Sequence, residues 1–283
     1  MHNGIKTIVH YDSQVLIHFK KISEGVYIAK WKNTLTKCAI KKFVDDKEIC
    51  LTYMANSHDN IIQFRGVMKL EDEKKYSLVL EYANGGTLRE HLRNKTITLK
   101  WESMLRFAKE IASAILWLHD DKEIIHGDLH PNNILIHRDT IKLADFGRSC
   151  LKSDDNTGSH GVIPYMDPKF FENKPYHITE KSDIYSLGVL FWELTSRKTP
   201  FKYKTGDDCV LRLRILNGLR EEPISNTNAI FVGLYQKCWQ YEPVNRPNIH
   251  QVISELNCIN PENDNISTSR TSENEDLFLS DSD

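Results

Sequence analysis

The sequence predicts an α+β fold in two lobes, a small antiparallel β lobe followed by a larger, mainly α-helical lobe. The first third of the chain reads as short strands, and the later part carries apolar residues at helical spacing. Between the two parts, Asn84-Gly85-Gly86 interrupts both patterns. We take this segment as the junction of the lobes.

The first lobe contains runs of β-branched, aromatic and other apolar residues, separated by turn residues such as Gly25 and Asn33. The predicted strands are residues 15–22, 26–31, 36–43, 61–68 and 76–82. A short helix is predicted after Asp46, capped by Asp45 or Asp46.

The second lobe is predicted to begin with a long helix, because apolar residues recur between 101 and 118 with a period of 3.6. Residues 134–136 and 141–144 then predict a hairpin. A buried helix is predicted to start at Thr179, and another over 207–217 to end at Gly218. Asn226 and Pro247 mark two further predicted helix starts.

Composition places the chain among ordinary globular proteins. Its 283 residues are 40% hydrophobic and 27% charged, with a net charge of −2, which excludes collagen, a coiled coil and wholesale disorder. The balanced charge gives no reason to expect a nucleic-acid partner.

No signal-peptide pattern and no apolar run near ~18 residues is present, so no membrane segment is predicted. The six cysteines lack CxxC spacing, which favours reduced thiols in the cytoplasm, with the nucleus as the alternative.

The end of the sequence differs from the rest. Residues 261–283 hold seven acidic residues, one basic residue and seven Ser or Thr, which predicts a solvated, disordered tail. The alternative is a phosphorylatable or partner-binding tail anchored by Leu277, Phe278 and Leu279. The predicted organisation is an extension (1–14), a β lobe (15–83), a helical lobe (84–258) and an acidic tail (259–283), acting as a monomer.

Polar residues with catalytic potential cluster where the helical lobe begins. Asp128 can accept a proton, and Asn133 and Asp145 offer the hard oxygen ligands that Mg²⁺ prefers. Asp145 follows Asp128 by 17 residues, with the predicted hairpin between them. The two motifs are His126-Gly127-Asp128-Leu129-His130-Pro131-Asn132-Asn133 and Asp145-Phe146-Gly147.

These motifs, in this order and spacing, resemble the signature set of protein kinases across residues 15–258. The segments 58–64, 126–130 and 162–169 are similar to the tyrosine-kinase-like group, especially to the Sel1-associated kinases expanded in some fungi. The resemblance implies a two-lobed kinase fold. It also implies transfer of the γ-phosphoryl of ATP, with Mg²⁺, to a hydroxyl of a protein substrate, more readily Ser or Thr than Tyr.

The same resemblance implies a catalytic group of five residues. Lys41 would neutralise the α- and β-phosphates, and Glu48 would pair with Lys41. Asp128 would be the catalytic base, while Asn133 and Asp145 would hold Mg²⁺.

The resemblance also implies an adenine site at the junction of the lobes. Leu80 would be the gatekeeper, and the backbone of Glu81-Tyr82-Ala83 would read the adenine edge. The residues expected above and below the nucleotide are Gly25 at the phosphate-covering turn and Val26, Ala39 and Leu135 around the ring.

Two departures from the kinase pattern favour a second function, a pseudokinase that acts as a scaffold or allosteric partner. The glycine-rich loop is reduced to a turn with one glycine, Gly25, which leaves little backbone to cover the γ-phosphate. The connection from Lys41 to Glu48 is also shorter than usual, so their pairing depends on a helix that starts at once.

Further departures concern the substrate side of the site. Gly127 replaces the arginine that anchors an activation-loop phosphate, so activation is predicted not to depend on Ser153, Thr157 or Ser159. Val162 and His130 replace the threonine and lysine of serine/threonine kinases, which leaves the acceptor open.

A charge is also exchanged at a structural position. Lys169 stands in place of the glutamate that normally pairs with the arginine matched by Arg246, and two like charges would meet there. We hypothesise that Asp167 supplies the carboxylate instead.

Lys142 is predicted to be solvated, and His126 to be a core histidine. Cys150 is the thiol that we expect to be worth testing for reactivity.

Overall fold

A computed structural model describes residues 8–69, 75–155, 161–202 and 206–260. The first seven residues and the acidic tail from residue 261 lie outside the described residues, as do Thr157 and Ser159. The described part confirms the predicted fold class. A sheet-rich lobe precedes a helical lobe, in the arrangement of a two-lobed kinase.

The first lobe is built on a six-stranded sheet with the order β1-β5-β6-β4-β3-β2. Its pairs are antiparallel except β1–β5, which is parallel. The strands are β1 (His10–Tyr11), β2 (Leu16–Ser23), β3 (Val26–Trp31), β4 (Lys37–Val44), β5 (Phe64–Met68) and β6 (Tyr76–Glu81).

Two features of this sheet differ from the sequence-based prediction. Strand β1 lies in the segment predicted as an extension, and its two residues pair with Val67 and Met68. Strand β5 begins at Phe64 and not at 61, because Ile61 forms a bridge with Leu143 of the other lobe. The N–H of Ile62 likewise donates to Leu143 O at 2.9 Å. Residues 61–62 therefore join the lobes instead of extending the sheet.

Helix α1 (Asp46–Ala55) begins two residues after β4 ends. The Asp45 side chain makes this abrupt start possible, since it accepts the N–H of Glu48 at 2.8 Å and satisfies a donor of the first turn. At the other end of α1, Trp117 Nε1 donates to Ala55 O at 2.9 Å. The short helix is thus fixed to strand β4 at its start and to the helical lobe at its end.

The second lobe packs its helices around one continuous apolar core. Its helices are α2 (Leu88–Arg93), α3 (Trp101–Leu116), α4 (Glu180–Ser196), α5 (Asp208–Leu216), α6 (Ala229–Cys238) and α7 (Ile249–Asn257). Its short strands are β7 (Ile124–Ile125), β8 (Ile134–His137), β9 (Thr140–Leu143) and β10 (Cys150–Leu151). The predicted hairpin is confirmed as β8–β9, and residues from Ser182 to Leu194 of α4 are buried.

The later helix starts were predicted a few residues early. Helix α6 is capped by Asn228, whose side chain accepts the N–H groups of Ile230 and Phe231. Asn226 instead occupies a left-handed turn, with φ +63°. Helix α7 is capped by Asn248. Asn and Asp stabilise turns as well as helix caps, so sequence alone does not separate the two roles.

The junction between the lobes packs tightly on the hairpin. Gly85 donates its N–H to Ile136 O at 2.8 Å, and an added Cβ would lie 2.8 Å from the same oxygen. Glycine is therefore required there by close approach. Within the described ranges, no helix is both long and apolar enough to cross a membrane.

Candidate active site

A three-residue charge cluster lies in the cleft between the lobes. Lys41 Nζ, on β4, contacts Glu48 Oε1 at 2.6 Å and Asp145 Oδ1 at 2.8 Å. The pair with Glu48 forms despite the short connection, because α1 starts at once and places Glu48 in its first turn. The short connection therefore does not prevent the pairing of Lys41 with Glu48.

The pKa values in this cluster follow from one ammonium shared by two carboxylates. Burial lowers the pKa of Lys41, but Asp145 and Glu48 outweigh burial and raise it above the ordinary value. Burial raises the pKa of Glu48, and Lys41 offsets this only in part. Burial also acts to raise the pKa of Asp145, but Lys41 outweighs it and lowers the value. Asp145 is thus held ionised, next to the position expected for a cation.

The backbone around Asp145 is shaped for this contact. Asp145 has φ +68°, and its Oδ1 accepts the N–H of Gly147 at 3.2 Å. A Cβ on Gly147 would lie 3.1 Å from Glu48 Oε2, so glycine leaves room for the carboxylate. The next side chain, Phe146, is buried with its ring centroid 5.5 Å from that of His126. Phe146 thereby anchors the turn in the core.

The loop that carries Asp128 is held from below by Asp183 of α4. The two carboxylate oxygens of Asp183 accept the N–H groups of His126 at 2.8 Å and Gly127 at 2.9 Å. His119 Nε2 lies 2.9 Å from the same carboxylate. Burial acts to raise the pKa of Asp183, but His119, His126 and the N–H of Gly127 together outweigh it and lower the pKa. His126 is fully buried, as predicted, with Nε2 3.2 Å from Ala144 O.

Asp128 and Asn133 face each other at the floor of the cleft. Asn133 Nδ2 donates to Asp128 O at 2.8 Å, which leaves the Asn133 carbonyl oxygen available to a metal ion. The Asp128 carboxylate lies 3.4 Å from Arg148 Nε and 3.6 Å from His130 Nε2. The contact of Arg148 was not foreseen, since no motif in the sequence marks that residue.

The side chains predicted to surround an adenine ring lie on β3, β4 and β8. Val26, Ala39 and Leu135 are each half-buried, and Ala39 stands opposite Leu80 in the β4–β6 register. No partner for the backbone of Ala83 occurs among the described residues, which leaves its N–H and C=O for a ligand.

The Glu81 side chain has a structural role beside the residues predicted to contact adenine. Glu81 Oε1 accepts the N–H of Gln63 at 2.8 Å and pairs with Lys142 Nζ at 3.1 Å. The prediction of a solvated Lys142 was therefore wrong, because this ion pair joins β9 to the sheet lobe. No local pattern indicates a pairing partner for a lysine on a short hairpin strand.

The turn at Gly25 is a tight connection between β2 and β3. Gly25 has φ +70°, and its carbonyl accepts the N–H of Lys42 at 2.8 Å. The turn is thus bonded to β4, and no run of glycines follows it. This agrees with the sequence-based expectation of a short phosphate cover.

Below the cleft, Asp167 pairs with Arg246, as hypothesised. Arg246 Nη1 and Nη2 contact the two oxygens of Asp167 at 2.6 and 2.8 Å, and both side chains are fully buried. Lys169 does not face Arg246, since its ammonium contacts Glu172 and Glu242, each at 2.9 Å. The expected reactivity of Cys150 is not supported, because its thiol is buried in β10.

Comparison with known proteins agrees with this geometry. Residues 13–256 match the family described as protein tyrosine and serine/threonine kinase. The chain is 34% identical over 203 residues to serine/threonine/tyrosine-protein kinase HT1 of Arabidopsis thaliana, covering 70% of this chain and 50% of the relative. It is 33% identical over 256 residues to mitogen-activated protein kinase kinase kinase 13-B of Xenopus laevis, covering 85% and 26%.

A third relative is RGS domain-containing serine/threonine-protein kinase A of Dictyostelium discoideum, 30% identical over 274 residues, covering 90% of this chain and 23% of the relative. The chain thus spans half or less of the length of these relatives. Family match, fold and cleft agree, and the chain belongs to the protein tyrosine and serine/threonine kinase family.

Proposed function

We propose that the chain is an active protein kinase that transfers the γ-phosphoryl of ATP to a hydroxyl of a protein substrate. The observation that carries the proposal is the position of Lys41 Nζ, 2.6 Å from Glu48 and 2.8 Å from Asp145. Phosphoryl transfer depends almost entirely on positioning and charge neutralisation, and in protein kinases this lysine–glutamate ion pair must be in place.

The residues present fit ATP and Mg²⁺. Asn133 and Asp145 would hold the metal through their free oxygens, and Lys41 would contact the α- and β-phosphates. Val26, Ala39 and Leu135 offer apolar surfaces to a flat ring, and the backbone of Ala83 offers a donor and an acceptor. Bound Mg²⁺ would supply neutralisation of the phosphate charge.

Asp128 would accept the proton of the attacking hydroxyl. Its backbone carbonyl is fixed by Asn133, and the loop is fixed by Asp183, so the carboxylate is oriented before substrate arrives. Arg148 and His130 lie beside the carboxylate. Arg148 would give way when the hydroxyl binds.

The alternative function is a pseudokinase scaffold, and the short turn at Gly25 is the observation behind it. The pairing of Lys41 with Glu48 argues against it, since the lysine–glutamate ion pair that phosphoryl transfer requires in protein kinases is in place. The relatives' names point the same way, because each is called a kinase.

Finer assignments rest on sequence resemblance. We place the chain in the tyrosine-kinase-like group, near the Sel1-associated kinases of fungi, as a cytoplasmic monomer. Serine or threonine is the proposed acceptor, although the name of one relative includes tyrosine as well. The acidic tail is proposed to bind a partner.

Mass spectrometry after incubation with ATP and Mg²⁺ tests the proposed activity. The full chain should gain phosphate on itself or on a generic protein substrate, and peptide mapping should place it mainly on Ser or Thr. The Asp128→Asn variant should gain none. Equal phosphate on both proteins would contradict the role of Asp128, and absence of phosphate and of ATP binding would favour the pseudokinase.

A further inference from the structure

Two arginines of α2 join this helix to the rest of the helical lobe, and one of them contacts the loop that carries Asp128. Arg89 donates its backbone N–H to Pro131 O at 3.1 Å and its Nε to Asn132 Oδ1 at 2.8 Å. Arg93, one helical turn later, reaches the carboxylate of Glu193 on α4. The Arg89 guanidinium therefore lies beside the loop that positions Asp128.

The carboxylate nearest to this region is already satisfied within the chain. Glu193 is fully buried, and its two oxygens accept bonds from Arg93 Nη2 and from the Tyr165 hydroxyl. Glu193 thus offers nothing to a basic substrate side chain. Glu90, which precedes Arg93 on α2, is occupied in the same way, because its carboxylate accepts the N–H of Thr87 at 2.8 Å.

The unused bonding capacity at this face is cationic. Neither Nη nitrogen of Arg89 has a partner within the described ranges. Arg93 Nη1 is buried and likewise has no partner there. His130 connects this face to the catalytic aspartate, since its ring centroid lies 6.1 Å from that of Tyr165 and its Nε2 lies 3.6 Å from Asp128.

We propose that Arg89 forms a recognition subsite for an acidic side chain of the protein substrate, close in sequence to the acceptor residue, with Arg93 held on Glu193 beside it. The planar guanidinium matches a carboxylate in geometry as well as charge, and Arg89 is already oriented by Asn132. Arg89 and Arg93 are two positive charges near the single buried carboxylate of Glu193, and Arg93 is the one bonded to it, so the Nη nitrogens of Arg89 are left for a ligand. The inference rests on the proposed kinase function for the identity of the ligand as a substrate.

Peptide binding tests the subsite without requiring turnover. The probes are fluorescein-labelled peptides with alanine at the acceptor position and one Asp, or one Lys, placed at each flanking position in turn. Fluorescence anisotropy is measured on the full chain, with and without a non-hydrolysable ATP analogue and Mg²⁺. At one or two positions, the Asp peptide should bind about fivefold more tightly than its Lys counterpart, as expected for a partly exposed ion pair.

Variants of Arg89 distinguish this subsite from a general charge effect. Arg89→Gln should reduce the preference to within about 1.5-fold and Arg89→Glu should reverse it, because the free charge is removed or inverted. Lys95→Gln is the matched control, since it removes an exposed positive charge two residues after Arg93 and should keep the preference. Thermal melting checks that each variant is folded, and Arg89→Met, which also removes the charge but keeps the length of the side chain, replaces any variant that is not.

Equal binding of Asp and Lys peptides, or a preference that survives Arg89→Gln, would overturn the inference. The same peptides with Ser, Thr or Tyr restored report on the proposed function separately. An acidic preference in binding with no phosphate transfer would retain the subsite and contradict the kinase activity. Phosphate transfer with no acidic preference would do the reverse.

Discussion

The buried pair of Asp167 and Arg246 provides the sharpest test of how this chain tolerates its altered sequence. Arg246 contacts both carboxylate oxygens of Asp167, and neither side chain is exposed. Asp167 also accepts the hydroxyls of Tyr176 at 3.1 Å and Ser182 at 3.3 Å. The Asp167→Asn substitution keeps the shape but leaves Arg246 as an unpaired buried charge.

The expected cost of this substitution is large. Loss of one partner from a buried ion pair costs about 3–5 kcal/mol in free energy of unfolding. For a domain of this size, each kcal/mol lowers the melting temperature by roughly 2–4 °C, so Asp167→Asn should melt about 6–20 °C below the parent chain. Urea unfolding at pH 7, followed by tryptophan fluorescence, and calorimetry would both measure the change.

Two further variants separate charge burial from general damage. Lys169→Gln removes a nearby partly exposed charge and should cost less than about 1 kcal/mol. The double variant Asp167→Asn/Arg246→Met should recover part of the loss, because no buried charge remains. Recovery would be incomplete, since Arg246 also donates to the carbonyls of Lys181 and Gln240. If Asp167→Asn melts within 2 °C of the parent chain while Arg246→Ala is strongly destabilised, the reasoning is refuted.

Three other predictions follow from the cleft and its surroundings. Because burial raises the pKa of Glu48, its ionised form is disfavoured by folding, and this cost is relieved as pH falls through the raised value. Protonation of Glu48 also breaks its ion pair with Lys41, so kcat/KM for ATP should fall as pH decreases, with a midpoint above the ordinary glutamate pKa of 4.5. This fall should be absent in Glu48→Gln, and identical pH profiles of the two proteins would contradict the prediction. Gly85→Ala should lower the free energy of unfolding by about 1–3 kcal/mol in urea melts, because its Cβ overlaps Ile136; an unchanged midpoint would argue against the close packing. Thiol titration of the native chain should find three fast-reacting thiols, the exposed Cys50, Cys209 and Cys258. Rapid labelling of the buried Cys150 would contradict this and would show that strand β10 opens.

Sequence reasoning predicted the parts of the fold that depend on local pattern. Strand β3 and the start of α4 at Thr179 were placed correctly, because alternation and capping are local signals. Strand β1 and helix α2 were missed, since two and six residues carry too little periodicity. Asn226 was mistaken for the helix cap that Asn228 supplies, because both residues suit a turn.

The site was predictable where motif and spacing agreed, and less so where contacts are long-range. The pairing of Asp167 with Arg246 could be inferred, because a replaced charge left one obvious substitute. The partners of Lys142 and Arg148 could not be inferred, since Glu81 and Asp128 approach them only through tertiary packing. The Lys41–Glu48 contact also depended on helix geometry, which the short connection left open.

The central claim is that Lys41, Asp128 and Asp145 act together in phosphoryl transfer from ATP. The most direct test measures the initial rate of γ-phosphate transfer by the full chain with Mg²⁺, for the parent and for Lys41→Met, Asp128→Asn and Asp145→Asn. We expect a measurable parent rate and a loss of at least about 100-fold in each variant, with unchanged melting behaviour in Asp128→Asn. A parent rate equal to that of Asp128→Asn would contradict the claim.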